Sequence, residues 1–287
     1  IILLTAKSDE ETRLIGAQIG ADGFLGKPFD ARELHSMVRN LLRLKTRETE
    51  IAIAHGELSR TMLELEHANR QLREQSFRDP LTGLHNRRFL REVVNQKIEK
   101  CAEAKDTSLY FVLMDLDHFK RVNDLYGHDA GDMVLLEAAR RLTELASDED
   151  VVIRWGGEEI LFVHSGPRDG GGSEIAKAVK RVFNCDKILI GNGVEIEVSA
   201  SIGVVRAPFT DLEKETTDWN DLLTLADHAL YAAKRNGRDM WIELCSPPQT
   251  PAEGFALMIR NATSEVIKQG QVVVNHSLGH LGQLTWD

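Results

Sequence analysis

The chain has 287 residues, of which 42% are hydrophobic and 28% are charged, a composition typical of one large or two ordinary globular domains. Its 35 lysines and arginines face 45 aspartates and glutamates, which gives a formal net charge of −10. This acidic balance argues against a nucleic-acid-binding or membrane-surface protein, because both need a surplus of basic residues. We therefore expect neither nucleic acid nor membrane as a partner, although a local basic pocket for a phosphate group is compatible with these totals.

The cysteines and the apolar stretches indicate the compartment. Cys101, Cys185 and Cys245 are far apart and lack CxxC spacing, so we expect free thiols in a reducing compartment and neither a metal site nor disulfides. No apolar stretch approaches the roughly 20 residues of a membrane span, and no signal-peptide pattern is present. We predict a cytoplasmic protein and, because the chain begins with Ile1 instead of Met, a piece of a longer one.

The first 45 residues predict alternating strands and helices. Apolar runs at Ile1–Ala6 and Gly23–Gly26 are typical of short buried strands. Helical spacing covers Ser8–Gly20, and Asp30 is placed to cap a second helix. Two strands and two helices are too little for a complete doubly wound domain, so residues 1–45 are predicted to be part of one.

Residues 46–76 are predicted to form a coiled-coil or signalling helix, a stalk ahead of the next domain. Apolar residues recur every seven positions, at Leu44, Ile51, Leu58, Leu65 and Leu72. With these at heptad position d, position a holds Glu48, His55, Met62 and Asn69. An Asn at position a favours a parallel dimer in one register. The alternative is a solvated amphipathic helix that packs on its own domain.

Residues 77–243 have the mixed pattern of an α/β or α+β domain with a central sheet. Helices are predicted at Arg87–Ala104, His118–Tyr126, Gly131–Leu145, Ser173–Phe183 and Asp218–Asn236. Strands are predicted at Ser108–Met114, Val151–Trp155, Glu159–Val163, Lys187–Ile190, Val194–Val205 and Met240–Leu244. Asn192-Gly193 is a candidate hairpin turn.

Residues 244–287 are predicted to be a tail, to which the sequence assigns no role. Pro247, Pro248 and Pro251 mark a linker at its start. A helix over Ala252–Lys268 and a strand over Gln271–Val274 are predicted beyond it.

A glycine pair followed by two glutamates lies between two predicted strands, in "IRWGGEEILF" at residues 153–162. Gly156 and Gly157 suit a two-residue hairpin turn and leave its tip open to a bulky ligand. Successive strand residues face opposite sides, so one of Glu158 and Glu159 is free to enter a site. Taken alone, such a turn is commonly only a solvated loop.

A second acidic cluster, Asp115 and Asp117, ends the strand "SLYFVLM". If the strands at 108–115 and 151–163 are sheet neighbours, Asp115 and Glu158 converge, and carboxylates placed in this way suit Mg²⁺. The alternative is that Asp117 caps the next helix while Asp115 is solvated, although an apolar strand is a costly place for an unpaired charge. Lys120, Lys234 and Arg238 would complete a triphosphate clamp, or they are solvated charges of helix ends.

Five motifs together resemble the GGDEF family of diguanylate cyclases over about residues 77–243. They are "DPLTGLHNRR" (79–88), "MDLDHFKRVNDLYGHDAGD" (114–132), "RWGGEEI" (154–160), "SIGV" (201–204) and "ADHALYAAKRNGRD" (226–239). The resemblance implies a fold like the palm of polymerases and nucleotidyl cyclases, with a central antiparallel-mixed sheet and flanking helices. It also implies the condensation of two GTP into cyclic di-GMP with release of two pyrophosphates.

The resemblance also implies residue roles. Asp115, Glu158 and Lys120 would be catalytic, and two Mg²⁺ or Mn²⁺ ions would be bound by Asp115, the Leu116 carbonyl, Glu158 and Glu159. GTP would be held at Gly156 and Gly157, with phosphate contacts from His118, Phe119, Lys120, Lys234 and Arg238. Guanine would be read by Asn123 and Asp132, because a carboxylate accepts from guanine N1–H and its 2-amino group, both of which adenine lacks.

The implied reaction needs two copies of the domain, since each 3′-hydroxyl must meet the α-phosphate of the other GTP. We therefore expect a homodimer formed through the coiled coil and the first domain. The alternative is a catalytically inactive signalling module that binds GTP or cyclic di-GMP.

Two positions depart from the family pattern. Ile160 replaces the usual Phe that ends the signature, a conservative change in the core. The family's product-inhibition motif RxxD is here "SDED", with Ser147 in place of Arg and Asp150 retained. Because serine lacks the bidentate guanidinium contact, we predict weak or absent product inhibition at this site.

Residues 1–45 resemble the C-terminal part of a response-regulator receiver domain. The motifs are "LLTA", which offers Thr5, and "GKPF", which offers Lys27 and Pro28. The resemblance implies that Thr5 and Lys27 engage a phosphoryl group on an aspartate outside this chain, supplied by an upstream histidine kinase, and that phosphorylation reorganises the dimer. The alternative is an unrelated α/β remnant.

Overall fold

The computed structural model describes residues 1–6, 18, 20–104, 106–209, 218–246, 272–277 and 284–286. These residues form two compact units, Ile1–Arg73 and Glu74–Asp287. The described helices are α1 Ala31–Ser76, α2 Arg87–Glu103, α3 Phe119–Tyr126, α4 His128–Leu145, α5 Gly171–Asn184 and α6 Trp219–Arg235. The described strands are β1 Ile2–Thr5, β2 Gly23–Gly26, β3 His85–Asn86, β4 Thr107–Leu116, β5 Val151–Gly156, β6 Glu159–Pro167, β7 Ile188–Ile190, β8 Val194–Ile196, β9 Ala200–Ala207, β10 Trp241–Cys245 and β11 Val273–His276.

The first unit contains the two predicted strands, β1 and β2, which pair in parallel. The predicted helix Ser8–Gly20 lies outside the described residues, apart from positions 18 and 20. Asp30 makes the predicted capping contact, since its Oδ1 accepts from the Arg32 amide at 2.9 Å. Helix α1 then runs for 46 residues without a break at the expected division after residue 45.

The second unit is built on a seven-stranded mixed sheet in the order β11-β10-β9-β4-β6-β5-β3. Neighbouring strands pair antiparallel except for β9 with β10 and β3 with β5, which are parallel. This arrangement confirms the predicted mixed central sheet with flanking helices.

Strand β4 forms the centre of the second unit, and every residue of it after Thr107 is buried. Leu109, Phe111 and Leu113 face one core with α2 and α6. The intervening residues of β4 face a second core with α3, α4 and α5. Burying each such side chain contributes about 1.5–3 kcal/mol, which explains why the residues from Leu109 to Met114 are all aliphatic or aromatic.

Three strand predictions need correction. The predicted strand Val194–Val205 is two strands, because β8 pairs with β7 in a separate hairpin while β9 joins the central sheet. Strand β3 was missed, since two residues show no periodicity. The tail strand is β11, two residues later than predicted. It extends the sheet beyond β10, whereas the predicted helix Ala252–Lys268 lies outside the described residues.

No helix in the described ranges is both long and apolar enough to cross a membrane.

Candidate active site

Three carboxylates gather where β4 ends. Asp115 pairs with Glu159 on β6, and the Leu116 amide donates to the Glu158 carbonyl at 3.4 Å. The predicted adjacency of the two strands is therefore confirmed. Cross-strand partners share a face of a sheet, so Glu159, and not Glu158, is the direct neighbour of Asp115.

The β5–β6 turn carries the glycine pair at the mouth of this site. A side chain added at Gly156 or Gly157 would meet no atom within 4 Å, so the backbone there is open to approach. Gly157 has a φ of 51°, which favours glycine at this position. Both facts agree with the predicted open tip.

Arg154 anchors this turn, and sequence reasoning assigned it no role. Its Nε and Nη2 donate to the Gly157 carbonyl at 3.1 and 3.0 Å, and its Nη1 donates to Asp79 Oδ1 at 3.0 Å. Asp79 also accepts from the Thr82 amide and hydroxyl at 2.8 and 2.7 Å. Both residues lie in motifs that carry the family resemblance, which was the signal available for finding them.

The carboxylates carry an excess of negative charge. Burial raises the pKa of Asp115, and Glu158 and Asp117 raise it further, while Lys234 opposes them. The Lys234 Nζ lies 2.8 Å from Asp115 Oδ2, so in this structure the lysine contacts the carboxylate expected to bind metal. Burial also raises the pKa of Glu159, with a smaller contribution from Asp115.

The donor set fits a divalent cation such as Mg²⁺. Carboxylates whose burial disfavours the charged form gain from a nearby cation, and oxygen ligands suit Mg²⁺. Within the described ranges no three side chains of His, Cys, Asp or Glu form a ready-made metal cage. Mg²⁺ commonly takes only one or two carboxylates and completes its shell with waters and substrate phosphates, so an open set is compatible with it.

Asp117 does not cap the next helix, as one alternative predicted. Its carboxylate accepts from the Ser199 and Ser201 hydroxyls at 2.7 and 2.6 Å and from the Asp239 amide at 2.9 Å. The N-cap of α3 is His118, which makes no side-chain capping bond. Donors from two distant segments therefore hold Asp117, which is itself buried.

The predicted phosphate-binding residues lie near the start of α3 and near the end of α6, and Asp117 joins these two segments. His118 has a φ of 57° and begins α3, whose first amides have no intrahelical acceptor and suit an anion. Lys120 is exposed on this helix, whereas Phe119 is buried in the core. Arg238 is exposed on the loop after α6, and the bond from the Asp239 amide to Asp117 ties that loop to the start of α3.

The predicted guanine-reading residues lie on two packed helices. Asn123 is half-buried on α3 and Asp132 is exposed on α4. A Cβ at Gly131 would lie 1.9 Å from Asn123 Oδ1, so only glycine allows this approach. Asn123 thus lies against the residue that precedes Asp132.

Asp150, the residue retained from the product-inhibition motif, faces inward. Its carboxylate accepts from the Ser147 amide and hydroxyl at 2.9 and 2.8 Å and from the Ser165 amide at 3.0 Å, and it contacts His164 Nδ1 at 2.9 Å. Only 2% of its side chain is exposed. Glu149 pairs with Lys100 at 3.0 Å.

In the first unit, Thr5 and Lys27 lie at the same end of the parallel strand pair. Thr5 pairs with Gly26, and the Lys27 amide donates to the Thr5 carbonyl at 2.8 Å. The backbones of Thr5 and Lys27 are therefore adjacent.

Similar proteins point to one family. PleD of Caulobacter vibrioides, a response regulator, is 30% identical over 240 residues, which cover 83% of this chain and 48% of PleD. The diguanylate cyclase SiaD of Pseudomonas aeruginosa, solved with its activator SiaC, is 30% identical with a TM-score of 0.53, and the match covers 80% of this chain and 84% of SiaD. The coiled coil and GGDEF domain of DgcB from Caulobacter crescentus, solved with c-di-GMP, is 26% identical with a TM-score of 0.53, over 68% of this chain and 97% of that one.

The chain spans about half the length of the curated relatives it matches. The family model described as "Diguanylate cyclase, GGDEF domain" matches residues 76–240. Because this match covers more than half of the chain and all five sequence motifs, the chain belongs to the GGDEF family of diguanylate cyclases.

Proposed function

We propose that this chain is a diguanylate cyclase, which joins two GTP into cyclic di-GMP and releases two pyrophosphates. In each half-reaction the 3′-oxygen of one GTP forms a bond to the α-phosphorus of the other, and the bond from that phosphorus to pyrophosphate breaks. The observation that carries the proposal is the gathering of Asp115, Glu158 and Glu159 at one end of β4 and β6. The raised pKa values of Asp115 and Glu159 indicate that this end of the sheet has too little positive charge to balance its carboxylates.

Each residue has a defined task in this reaction. Asp115, Glu158, Glu159 and the Leu116 carbonyl would hold two Mg²⁺ or Mn²⁺ ions, which supply Lewis-acid stabilisation of the charge on the phosphates. Glu158 accepts the proton of the attacking 3′-hydroxyl, for which its place in the open β5–β6 turn is suited. The exposed Lys120 and Arg238, with the first amides of α3, hold the phosphates.

Lys234 has two candidate partners, Asp115 and the terminal phosphates of GTP. Its ammonium lies on Asp115 at 2.8 Å, where it partly offsets the carboxylate charge. We infer that the lysine turns to the phosphates when GTP binds, because the charge it offsets is then neutralised by the ions that accompany the substrate.

A second copy of this chain must face the first, because one domain presents only one GTP. Helix α1 exposes Leu44, Ile51, Leu58, Met62 and Leu65 along one heptad seam, and a second α1 in a parallel coiled coil would cover it. The side chains of Asn69 and Leu72 lie outside the described residues. The solved DgcB chain, which carries a coiled coil before its GGDEF domain, supports this arrangement.

Receiver control is proposed for residues 1–45. Thr5 and Lys27 lie side by side at the ends of β1 and β2, which suits them to contact one phosphoryl group. That group would be placed on an aspartate outside this chain by a histidine kinase. The similarity to the response regulator PleD supports the proposal.

Weak or absent product inhibition is proposed for the site at Ser147 and Asp150. Four contacts satisfy the Asp150 carboxylate, so that binding a guanine there would require breaking bonds within the loop. A titration that detected tight capture of cyclic di-GMP, lost in Asp150→Ala, would contradict this.

The test of the main proposal is incubation with GTP and Mg²⁺, followed by chromatography for cyclic di-GMP. We expect product from the unaltered chain and a loss of at least about a hundredfold in Glu158→Gln, which keeps the shape of the side chain but cannot accept the proton. Glu195→Gln, a change at an exposed glutamate on β8, is the matched control and should keep full activity. Absence of product from the unaltered chain at concentrations where it is dimeric would favour the inactive binding module.

A further inference from the structure

The tail beyond β10 docks on the catalytic unit at two places. Strand β11 pairs antiparallel with β10, from Cys245 opposite Val273 to Ile242 opposite His276. Asn275 Nδ2 donates to Glu243 Oε2 at 3.1 Å. Glu243 is only 5% exposed and also accepts from Ser173 Oγ at 2.6 Å, so Asn275 helps to satisfy a buried carboxylate.

The second docking place is the end of α6. The Thr285 amide donates to Asn236 Oδ1 at 2.9 Å, and Asn236 Nδ2 donates to the Thr285 carbonyl at 2.9 Å. Leu284 and Trp286, on either side, pack against the core that contains α6. The Thr285 hydroxyl also donates to Asn236 Oδ1, at 3.2 Å, so the tail holds the Asn236 side chain through three hydrogen bonds.

Asn236 is the C-cap of α6 and the first residue of the loop that carries Arg238. Gly237, Arg238 and Asp239 have φ values of 114°, 63° and 46°. Left-handed conformations at non-glycine residues cost of order 1 kcal/mol each, so contacts must impose them. At the far end of the loop Asp239 is bound by Asp117 and by Lys180 Nζ at 2.6 Å; at the near end the tail binds Asn236.

We propose that residues 284–286 act as a strap that positions the loop of Arg238, with Asn236 as the positioning residue between them, and so tune the affinity for GTP. Lys234 lies two residues before Asn236 and Arg238 two residues after it, so displacement of the strap loosens the segment between both proposed phosphate contacts. The strap lies beyond the family match, which ends at residue 240. The effect of the strap on GTP affinity rests on the proposed function, whereas its effect on the loop of Arg238 does not.

The test compares Thr285→Pro, which removes both the amide and the hydroxyl that donate to Asn236, with Thr285→Ser, which keeps both donors. Thr285 is exposed, so neither change should unfold the domain, and a thermal melt checks this. Without nucleotide, we expect amide hydrogen exchange at Arg238 and Asp239 to be about tenfold faster in Thr285→Pro and unchanged in Thr285→Ser. In the cyclase assay, we expect the KM for GTP to rise about three- to tenfold in Thr285→Pro with kcat within about twofold.

If amide hydrogen exchange at Arg238 and Asp239 were unchanged in Thr285→Pro, the proposed role of the strap would be overturned. Faster exchange with an unchanged KM would overturn its link to GTP. If the unaltered chain made no cyclic di-GMP, the proposed function would fail, and the exchange measurement would still decide whether the tail holds the loop.

Discussion

Asp115 and Asp117 stand two residues apart at the end of one strand, and their surroundings give them different tasks. The carboxylate of Asp117 is satisfied by two hydroxyls and an amide, which suits an anchor between segments. Asp115 has one direct cation, Lys234, and two further acids whose charges raise its pKa after burial. A carboxylate in that position gains most from an added cation, which is why we propose the metal role for Asp115 and not for Asp117.

At the same scale, Gly131 determines where Asn123 lies. In Gly131→Ala the new methyl group would overlap Asn123 Oδ1, so the amide must turn away from the proposed guanine site. We expect the KM for GTP to rise about tenfold with little change in kcat, because a base contact is lost and the reacting groups are untouched. The measurement is steady-state kinetics of cyclic di-GMP formation.

Gly56→Ala is the matched control, since a Cβ at that position meets nothing within 4 Å. It should leave the KM unchanged. An unchanged KM in Gly131→Ala as well would remove Asn123 from the set of guanine contacts.

Asp132 is predicted to decide between GTP and ATP. Removing its carboxylate in Asp132→Ala leaves guanine N1–H and the 2-amino group without their acceptor, which costs about 1–3 kcal/mol or roughly 5- to 150-fold in affinity. ATP does not make this contact in either protein, so its ability to compete should not weaken. The ratio of GTP affinity to ATP affinity should therefore fall. Asp129→Ala, at an exposed residue one turn earlier on α4, should leave nucleotide choice unchanged. Equal selectivity in the two variants would refute the assignment.

Among the elements, the segment before α2 is tied to the β5–β6 turn by one ion pair. Arg154 and Asp79 are only 18% and 17% exposed, and both have further hydrogen bonds. Strand β3 follows this segment and pairs with β5. The turn that presents Glu158 is therefore held by residues that follow α1 closely in the sequence, since α1 ends at Ser76.

His85, on β3, should make stability depend on pH. Burial lowers the pKa of His85 to about 4, and the Arg78 charge adds to the effect. Its Nδ1 is buried and has no hydrogen-bond partner among the residues that the structure describes, and its ring stacks on Phe89 with centroids 3.6 Å apart. Because the folded pKa lies below the unfolded value near 6.5, the unfolded chain binds more protons between these values. Stability is complete above about pH 6.5 and is lost as pH falls towards 4.

The measurement is the unfolding free energy of the chain and of His85→Phe between pH 7 and 4. His85→Phe keeps an aromatic ring against Phe89 and cannot be protonated, so its stability should fall less steeply, by about 1–2 kcal/mol over this range once solvent screening of a half-buried ring is allowed for. His67→Phe, at an exposed histidine on α1, should follow the unaltered chain. Parallel slopes for all three proteins would exclude His85 as the cause.

The elements also show what local pattern can and cannot predict. The apolar run of β4 and the apolar stripe of α6 were predictable from the sequence. A strand buried on both faces gives a continuous apolar run, and a helix buried on one side gives apolar residues at helical spacing. The break between β8 and β9 was not, since residues 194–205 keep a strand-like composition while the chain changes partners from β7 to β4. Asp117 was misjudged for the same reason, as its donors lie 82 to 122 residues away.

At the scale of the whole molecule, the proposed reaction needs two copies of this site, each with one GTP. The family resemblance predicted the carboxylates and their order along the chain, but the docking of β11 and of residues 284–286 depends on contacts that no local pattern records. The proposed reaction depends on how a second copy is brought opposite the first. Within the described residues, α1 is the element that offers a long apolar seam for this.

Leu58→Lys tests whether that seam brings the copies together. Leu58 is at heptad position d and 60% exposed, whereas Ile53, at position f and 58% exposed, points away from the seam. A lysine at d must be desolvated against the partner helix, so we expect Leu58→Lys to weaken the dimer by at least about tenfold and activity to fall when the protein is diluted. Ile53→Lys makes the same chemical change outside the seam and should keep both dimer and activity. Sedimentation and cyclase assays over a range of protein concentrations would measure the two effects together. Equal behaviour of the two variants would mean that the copies meet through another surface, and α1 would then be a solvated helix, as the second interpretation of its heptads predicts.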